Sequence, residues 1–201
     1  MTAAKTKSAG AVRLLKSKRF EDPRGWFVET YNRQRYLDLG VDVAFCQDNH
    51  SLSRPVGVLR GLHFQAPPHA QAKLVRCIRG RIWDVAIDIR SGSPTYGRWV
   101  GAELTADNGK QLYVPAGFAH GFITLEPDTE VEYKVSAFYD RDSEGGLIWS
   151  DASLALPWPL PPGGPIVSDK DQVLPRLAEF QSPFAYDGVP LAPLGDEEDH
   201  L

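Results

Sequence analysis

Residues 57–80, GVLRGLHFQAPPHAQAKLVRCIRG, combine a strand-like run of Val, Leu and Ile with ionisable side chains. Arg60, His63, Lys73 and Arg76 all fall within it. Burying a cation without a partner is costly, so such groups reach solvent, form pairs or line a site. A histidine with an ordinary pKa of ~6.5 is mostly neutral yet still basic near neutral pH, which suits a proton-abstracting base. The stretch therefore indicates either a solvated edge or a site lined by cations.

Alternation along the predicted strands sorts these side chains by face. His63 shares a face with Gln65, and Lys73 points to the same side of its strand as the apolar residues two and four positions later. Arg60 has the opposite parity to His63. If both serve one site, a bulge at Gly61 or the end of a barrel must re-aim one of them, as glycines in strands often do.

Two further segments place polar groups on defined faces. In VEYKVSAFY, Tyr133 and Tyr139 have the same parity and are expected on one face. In RIWDVAIDIR, Asp84 and Asp88 alternate with a solid apolar face of Trp, Val and Ile. One face is therefore core, and a mixed inner face in a barrel is typical of a small-molecule cavity.

The elements that would position these residues are mostly short strands. Turn signals such as DPRG, RPVG, SGSPTYG, TADNGK and DSEGG separate strand-length segments, including LVRCIRG, RWVGAEL, QLYVPAGF, GFITL and LIWSD. Many short strands predict an all-β sandwich, jelly roll or barrel. A helix is expected at NRQRYLDLG, with Asn32 as its cap and Gly40 as its stop, and a short helical piece near KDQVLPRLAEF.

Composition describes an ordinary globular chain. The 201 residues are 42% hydrophobic and 24% charged with a net charge of -4, which excludes a disordered polyelectrolyte and gives no sign of nucleic acid as a partner. We expect a loose tail at 1–11, one domain at 12–185 and an acidic tail at 186–201. No run of about 20 apolar residues predicts a membrane span, no signal peptide is evident, and a cytoplasmic location is expected. Cys46 and Cys77 are expected to be free, buried thiols.

The sequence resembles the dTDP-4-dehydrorhamnose 3,5-epimerase family across about residues 19–173. The resemblance is carried, in family order, by RFEDPRGWFVE, QDNHSLSRPVGVLRGLHFQAPPHAQAKLVR, GRIWDVAIDIRSGSPTYGRW, LYVPAGFAHGF, VEYKVSAFY, EGGLIWSD and SDKD. It implies a cupin-type jelly roll with a few short helices, and a homodimer. It also implies cofactor-free inversion of C3 and C5 in a dTDP-linked 4-keto-6-deoxyglucose, which yields the L-rhamnose precursor.

The same resemblance implies roles for individual residues. His63 matches the catalytic base, Tyr133 the acid on the opposite sugar face, and Lys73 the cation near the keto oxygen. Asp171 best matches the carboxylate that orients the histidine, with Asp169 as a rival. The implied substrate-binding positions are Arg24, Glu29, Gln47, Asp48, Asn49, Arg60, His120, Tyr139, Glu144 and Lys170, with Tyr139 stacking on thymine.

Each residue also has a plainer interpretation. His63 could be a satisfied core histidine, and His120 could be structural, hydrogen-bonded to Asp84 or to a backbone carbonyl. A metal site of His63, His120 and Asp84 is a further alternative, which Lys73 in the same pocket would disfavour. Two other functions stay open: an epimerase that inverts one carbon only, and a sugar-nucleotide-binding cupin without catalysis.

Overall fold

The computed structural model describes residues 10–194 and 199–200, and strands dominate this part of the chain. The strands are β1 (Arg13–Lys16), β2 (Arg19–Asp22), β3 (Gly25–Val28), β4 (Gln47–Ser53), β5 (Leu59–Gln65), β6 (Lys73–Arg79), β7 (Arg81–Asp88), β8 (Trp99–Thr105), β9 (Lys110–Val114), β10 (Phe118–Thr124), β11 (Thr129–Val135), β12 (Glu144–Gly146) and β13 (Asp199–His200). The helical elements are α1 (Arg33–Asp38), α2 (Asp169–Gln172) and a 3-10 turn at Leu177–Glu179.

Two sheets face each other. The six-stranded sheet has the order β13-β1-β9-β6-β11-β4, and the five-stranded sheet has the order β12-β5-β10-β7-β8. Neighbouring strands run antiparallel except β1 and β13, which are parallel. The hairpin β2–β3 forms a separate two-stranded sheet. The predicted all-β, cupin-type jelly-roll architecture is confirmed.

The main core lies between the two sheets. It is built from inward-facing residues of both sheets, among them Val75, Ile82, Leu112 and Phe122. A second cluster covers the outer face of the five-stranded sheet, where Val85 and Ile87 of β7, and Ile89 just after it, pack against the chain that follows β12. β7 is therefore buried on both faces, and the solid apolar face predicted for it is core. Each such aliphatic side chain contributes roughly 1.5–3 kcal/mol on burial.

The helix predicted at residues 32–40 is confirmed. Asn32 is its N-cap, and the side-chain oxygen accepts hydrogen bonds from the backbone N–H groups of Gln34 and Arg35 at 3.0 and 3.3 Å. Gly40 follows the helix with φ of 83°, a conformation that favours glycine. Tyr36 is the buried residue of α1 and packs against the outer side of the six-stranded sheet.

Three strand boundaries differ from the prediction. The strand expected through Tyr139 ends at Val135. The chain bends at Ser136, whose hydroxyl accepts the backbone N–H of Ala72. The segment QLYVPAGF holds the end of β9, a turn and the start of β10. Residues 147–151 are not a strand, since after Leu147 the chain leaves β5 and bonds to Pro175.

β12 forms instead in what was predicted as a turn, because its glycines permit close approach to β5. A Cβ on Gly145 would lie 2.5 Å from the Phe64 ring, so only a residue without a side chain fits there unchanged.

The thiols and the C-terminal segment complete the fold. Both cysteines are free; Cys77 is buried as predicted, whereas Cys46 is exposed because it lies in the loop before β4. Asp187 bonds to the buried Arg90 at 2.7 Å, and Leu191 donates to the Thr95 hydroxyl. The domain boundary predicted at residue 185 stays a prediction, and these contacts favour one further along. The predicted tail at residues 1–11 lies mostly outside the described residues.

No helix in the described part of the chain has the length and apolar character that a membrane span requires.

Candidate active site

A cavity of about 450 Å³ lies between the two sheets. Strands of both sheets and the segment containing α2 form its walls. Its lining residues are Ser51, Val58, Leu59, Arg60, His63, Lys73, His120, Phe122, Tyr133, Glu144, Ile166, Val167, Ser168, Lys170 and Asp171. All four residues predicted to be catalytic are among them.

The bulge predicted at Gly61 is present. His120 is opposite His63 and Phe122 is opposite Arg60, so β5 has one more residue than β10 over this interval. Gly61 has φ of 129°, and a Cβ there would lie 2.6 Å from the Cα of Gly121. Because of the bulge, Arg60 and His63 both line the cavity despite their opposite parity.

His63 is held by a buried carboxylate. Its Nε2 lies 2.6 Å from Oδ1 of Asp171, whose other oxygen accepts the backbone N–H of Gly61 at 3.3 Å. Ser168 caps α2 and fixes Asp171 by accepting its backbone N–H. Burial is the largest single influence on the pKa of Asp171 and raises it, but the hydrogen bond and charge of His63 and the bonds from Gly61 and Ser168 together lower the pKa below its usual value. Asp169, the predicted rival, is exposed.

Lys73 reaches across the cavity toward β5. Its ammonium donates to the backbone carbonyl of His63 at 3.3 Å. Burial lowers the pKa of Lys73 to about 8, while the charges of Asp84 and Glu144 act in the opposite direction. Near neutral pH the side chain is thus still mainly cationic, in a place where little water screens its charge.

Tyr133 lies on β11 in the six-stranded sheet, facing the sheet that carries His63. It packs against the core between the sheets. Burial raises the pKa of the hydroxyl, so the group is a protonated donor at physiological pH.

His120 is paired with Asp84 in the interior. Its Nε2 lies 2.7 Å from Oδ1 of Asp84, which is the partner that the sequence suggested. The two side chains come from neighbouring strands, β10 and β7, and both are buried.

A polar rim surrounds the entrance. Glu144 forms an ion pair with Lys170 at 2.5 Å and accepts the Tyr139 hydroxyl at 3.0 Å. Gln47 accepts the backbone N–H of Tyr139 at 3.0 Å and donates to Asn49 at 2.9 Å. Tyr139 is 57% exposed beside this rim.

Six predicted binding residues do not line the cavity: the rim residues Gln47, Asn49 and Tyr139, and three others. Arg24, at the tip of the β2–β3 hairpin, has an 89% exposed side chain and pairs with Asp22 at 2.5 Å. Glu29 pairs with Arg35 at 3.3 Å. Asp48 lies on the outer face of β4 and binds Lys134 at 2.9 Å.

Other lining residues were not predicted. Ser51 and Phe122 lie two residues after predicted positions on β4 and β10, so alternation could have identified them. Ser168 is a helix cap before DKD, which is also a local signal. Ile166 has no local sequence signal, because its place is set by a parallel bridge to Val58, 108 residues earlier.

Among the described residues, no group of three or more His, Cys, Asp or Glu side chains is arranged to hold a metal ion. The hypothesised triad does not form, because His63 is bound to Asp171 and His120 to Asp84.

Comparisons with known proteins agree with this architecture. The family model described as dTDP-4-dehydrorhamnose 3,5-epimerase matches residues 5–179. The enzyme of that name from Sinorhizobium fredii is 48% identical over 179 residues, covering 89% of this chain and 91% of the relative.

Two solved structures are similar throughout the fold. The Bacillus anthracis dTDP-4-dehydrorhamnose 3,5-epimerase, with TDP and PPi bound, superposes with a TM-score of 0.80 at 50% identity, covering 82% of this chain and 93% of that one. The Legionella pneumophila dTDP-6-deoxy-D-glucose-3,5-epimerase, in complex with dTDP-4-keto-L-rhamnose, gives a TM-score of 0.84 at 39% identity, covering 88% and 94%.

The fold and the site thus define an isomerase of the cupin jelly-roll class. The chain belongs to the dTDP-4-dehydrorhamnose 3,5-epimerase family.

Proposed function

We propose that the protein inverts C3 and C5 of dTDP-4-dehydro-6-deoxy-D-glucose, giving dTDP-4-dehydro-L-rhamnose, without a cofactor. The observation that carries this is the His63–Asp171 pair, 2.6 Å apart, in one cavity with Lys73 and with Tyr133 on the facing sheet. Family membership supports the same substrate class.

Proton abstraction is assigned to His63. The C4 ketone acidifies the hydrogens on both neighbouring carbons, so one base can serve both through a shared type of enolate. An ionised Asp171 holds the proton on Nε2, which leaves Nδ1 as the basic nitrogen and stabilises the imidazolium after transfer.

Stabilisation of the negatively charged enolate oxygen is assigned to Lys73. Negative charge develops on that oxygen as the proton leaves, and an ammonium fixed in a water-poor cavity stabilises it strongly. The lowered pKa, about 8, also places this group near the operating pH, where it can donate a proton readily.

Inversion needs a proton from the opposite face of the sugar, and this step is assigned to Tyr133. β11 and β5 belong to facing sheets, so a sugar ring between them would have the base on one side and the phenol on the other. A neutral hydroxyl provides the proton without adding a second charge that competes with His63.

Binding of the nucleotide is assigned to the rim and to the cavity wall beside it. Arg60 and Lys170 supply cations for a diphosphate. The exposed ring of Tyr139 offers a surface on which thymine can stack.

We also propose that the protein works as a homodimer in which the β2–β3 hairpin reaches a second copy. On this hairpin Phe20, Trp26 and Phe27 are 52%, 57% and 69% exposed, which is unusual for an unpartnered surface. Arg24 projects from the same hairpin and lies outside its own cavity, so it could act on substrate only in another subunit. The predicted cytoplasmic location stays a prediction.

The test is NMR of dTDP-4-keto-6-deoxyglucose incubated with the protein in D2O, with a 4-ketoreductase added in parallel to trap epimerised product. Deuterium at both C3 and C5 with an L-rhamno product is expected. Label and inversion at one carbon would replace the proposal by a mono-epimerase, and binding without label would replace it by a non-catalytic cupin.

A further inference from the structure

Asp84 is a carboxyl group buried with one oxygen unsatisfied. Its side chain is fully buried on β7, on the same face as Ile82 and Ala86 of the core between the sheets. Oδ1 is bonded to His120 at 2.7 Å, but Oδ2 has no hydrogen-bond partner among the described residues. A buried carboxylate in this state is costly unless a nearby positive charge offsets it.

The nearby cation is Lys73. Its ammonium lies against the His63 carbonyl of β5, two strands from β7 in the five-stranded sheet. The negative charge of Asp84 raises the pKa of Lys73, against the larger lowering that burial causes. The titratable groups that line the cavity with Lys73 are His63, His120, Tyr133, Glu144, Lys170 and Asp171, together with the cation of Arg60.

Glu144 cannot replace Asp84 in this role. It also interacts with Lys73, but its carboxylate is held at the rim by Lys170 at 2.5 Å and by Tyr139 at 3.0 Å. Asp84 has its second oxygen uncommitted and lies in the dry interior, where a charge acts over a longer distance.

We propose that Asp84 is a positioning residue that supplies the buried counter-charge for Lys73 at the enolate oxygen and fixes the ring of His120 in the same cavity. The expected effect of Asp84 on activity rests on the proposed function. The electrostatic coupling between Asp84 and Lys73 does not depend on that function. Asp84 does not line the cavity; it acts through Lys73 and His120, which do.

The first test measures Lys73 directly. In protein whose lysines carry 13C-methyl labels, the Lys73 signal is titrated in the parent, in Asp84→Asn and in Glu103→Gln. Asparagine keeps an acceptor for His120 and removes the charge, while Glu103, paired with Arg81 at the surface, gives the same charge change outside the cavity lining. Lys73 should titrate near pH 8 in the parent and the control, and about one unit or more lower in Asp84→Asn. An unshifted midpoint would overturn the proposal.

The second test is the pH profile of deuterium incorporation. Removing Asp84's charge lowers the pKa of Lys73 further, so the ammonium is lost at a lower pH. Activity should fall about five- to tenfold at pH 8 and less than about twofold below pH 6.5, with dTDP affinity unchanged. An equal loss at every pH, together with a lower Tm, would show a merely structural role.

Two safeguards keep the outcome clear. If the parent gives no deuterium incorporation at all, the proposed function fails, but the lysine titration still tests the coupling. If Asp84→Asn does not fold, the 13C carboxyl shift of Asp84 in the parent should show an inflection at the Lys73 midpoint. A shift that stays flat across that midpoint would overturn the proposal.

Discussion

His63 and Tyr133 owe their opposed positions to the sheets that carry them. β5 and β11 lie in different sheets, and the side chains meet from two sides of one cavity. Asp171 and Ser168 fix the histidine from α2, and burial keeps the phenol protonated. In the proposed mechanism this residue pair separates proton removal from proton return in space.

Replacing Tyr133 with Phe should separate these two steps in experiment. Deuterium incorporation should stay within about tenfold of the parent because His63 is untouched. Inverted product should fall about a hundredfold or more, because general-acid help from the far face is lost. NMR of substrate and trapped product measures both rates. Tyr96→Phe, outside the cavity, is the matched control, and a parental product rate in Tyr133→Phe would mean that another group donates the proton.

For single residues of the candidate site the sequence was informative, because the chemistry depends on residue type and motif. His63, Lys73, Tyr133 and Asp171 were predicted together, and the structure brings them into one cavity. Tyr139 shows the limit: parity placed it on a strand with Tyr133, but the strand ends at Val135. Local patterns do not show where a ladder stops, since the partner strand decides that.

At the scale of elements, the bulge in β5 determines which side chains reach the cavity. It lets Arg60 and His63 face the same space although they are three residues apart. The sequence predicted it through a conflict of parity beside a glycine. β12 could not be predicted in the same way, because it forms where Gly145 lets the Phe64 ring approach.

Gly61→Ala should therefore damage both the fold and the site. A Cβ would meet Gly121 at 2.6 Å in a backbone conformation with φ of 129° that other residues rarely adopt. We expect the free energy of unfolding to fall by about 2–4 kcal/mol, measured by denaturant titration. Gly163→Ala, which has open space around it and no positive φ, should be close to neutral. Equal stability of the two variants would show that the bulge is not tightly constrained.

At the scale of the whole molecule, an isolated subunit does not explain why the hairpin β2–β3 exposes large apolar side chains. Its apolar side chains face outward, whereas most of the apolar face of β7 is covered by the chain that follows β12. The strand pattern sufficed to predict an all-β fold. It could not predict the packing of the C-terminal segment on Arg90, because that contact joins positions 97 residues apart.

Light scattering should give the parent a mass of twice the 22.2 kDa of the chain. Phe27→Ser should weaken the dimer and reduce turnover, because burial of an aromatic ring is lost and Arg24 no longer reaches a second subunit. Leu160→Ser, at a residue that is 45% exposed elsewhere, should leave the mass unchanged. A parent that is monomeric and fully active would contradict the dimer proposal.

The most direct test of the account is deuterium incorporation by His63→Asn at C3 and C5, with dTDP affinity measured alongside. One base is proposed to serve both carbons, so label should be lost at both together while the nucleotide still binds. His50→Asn, at a surface histidine paired with Glu130 at 2.8 Å, should retain parental rates. Label that persists at either carbon at the parental rate in His63→Asn would contradict the central claim.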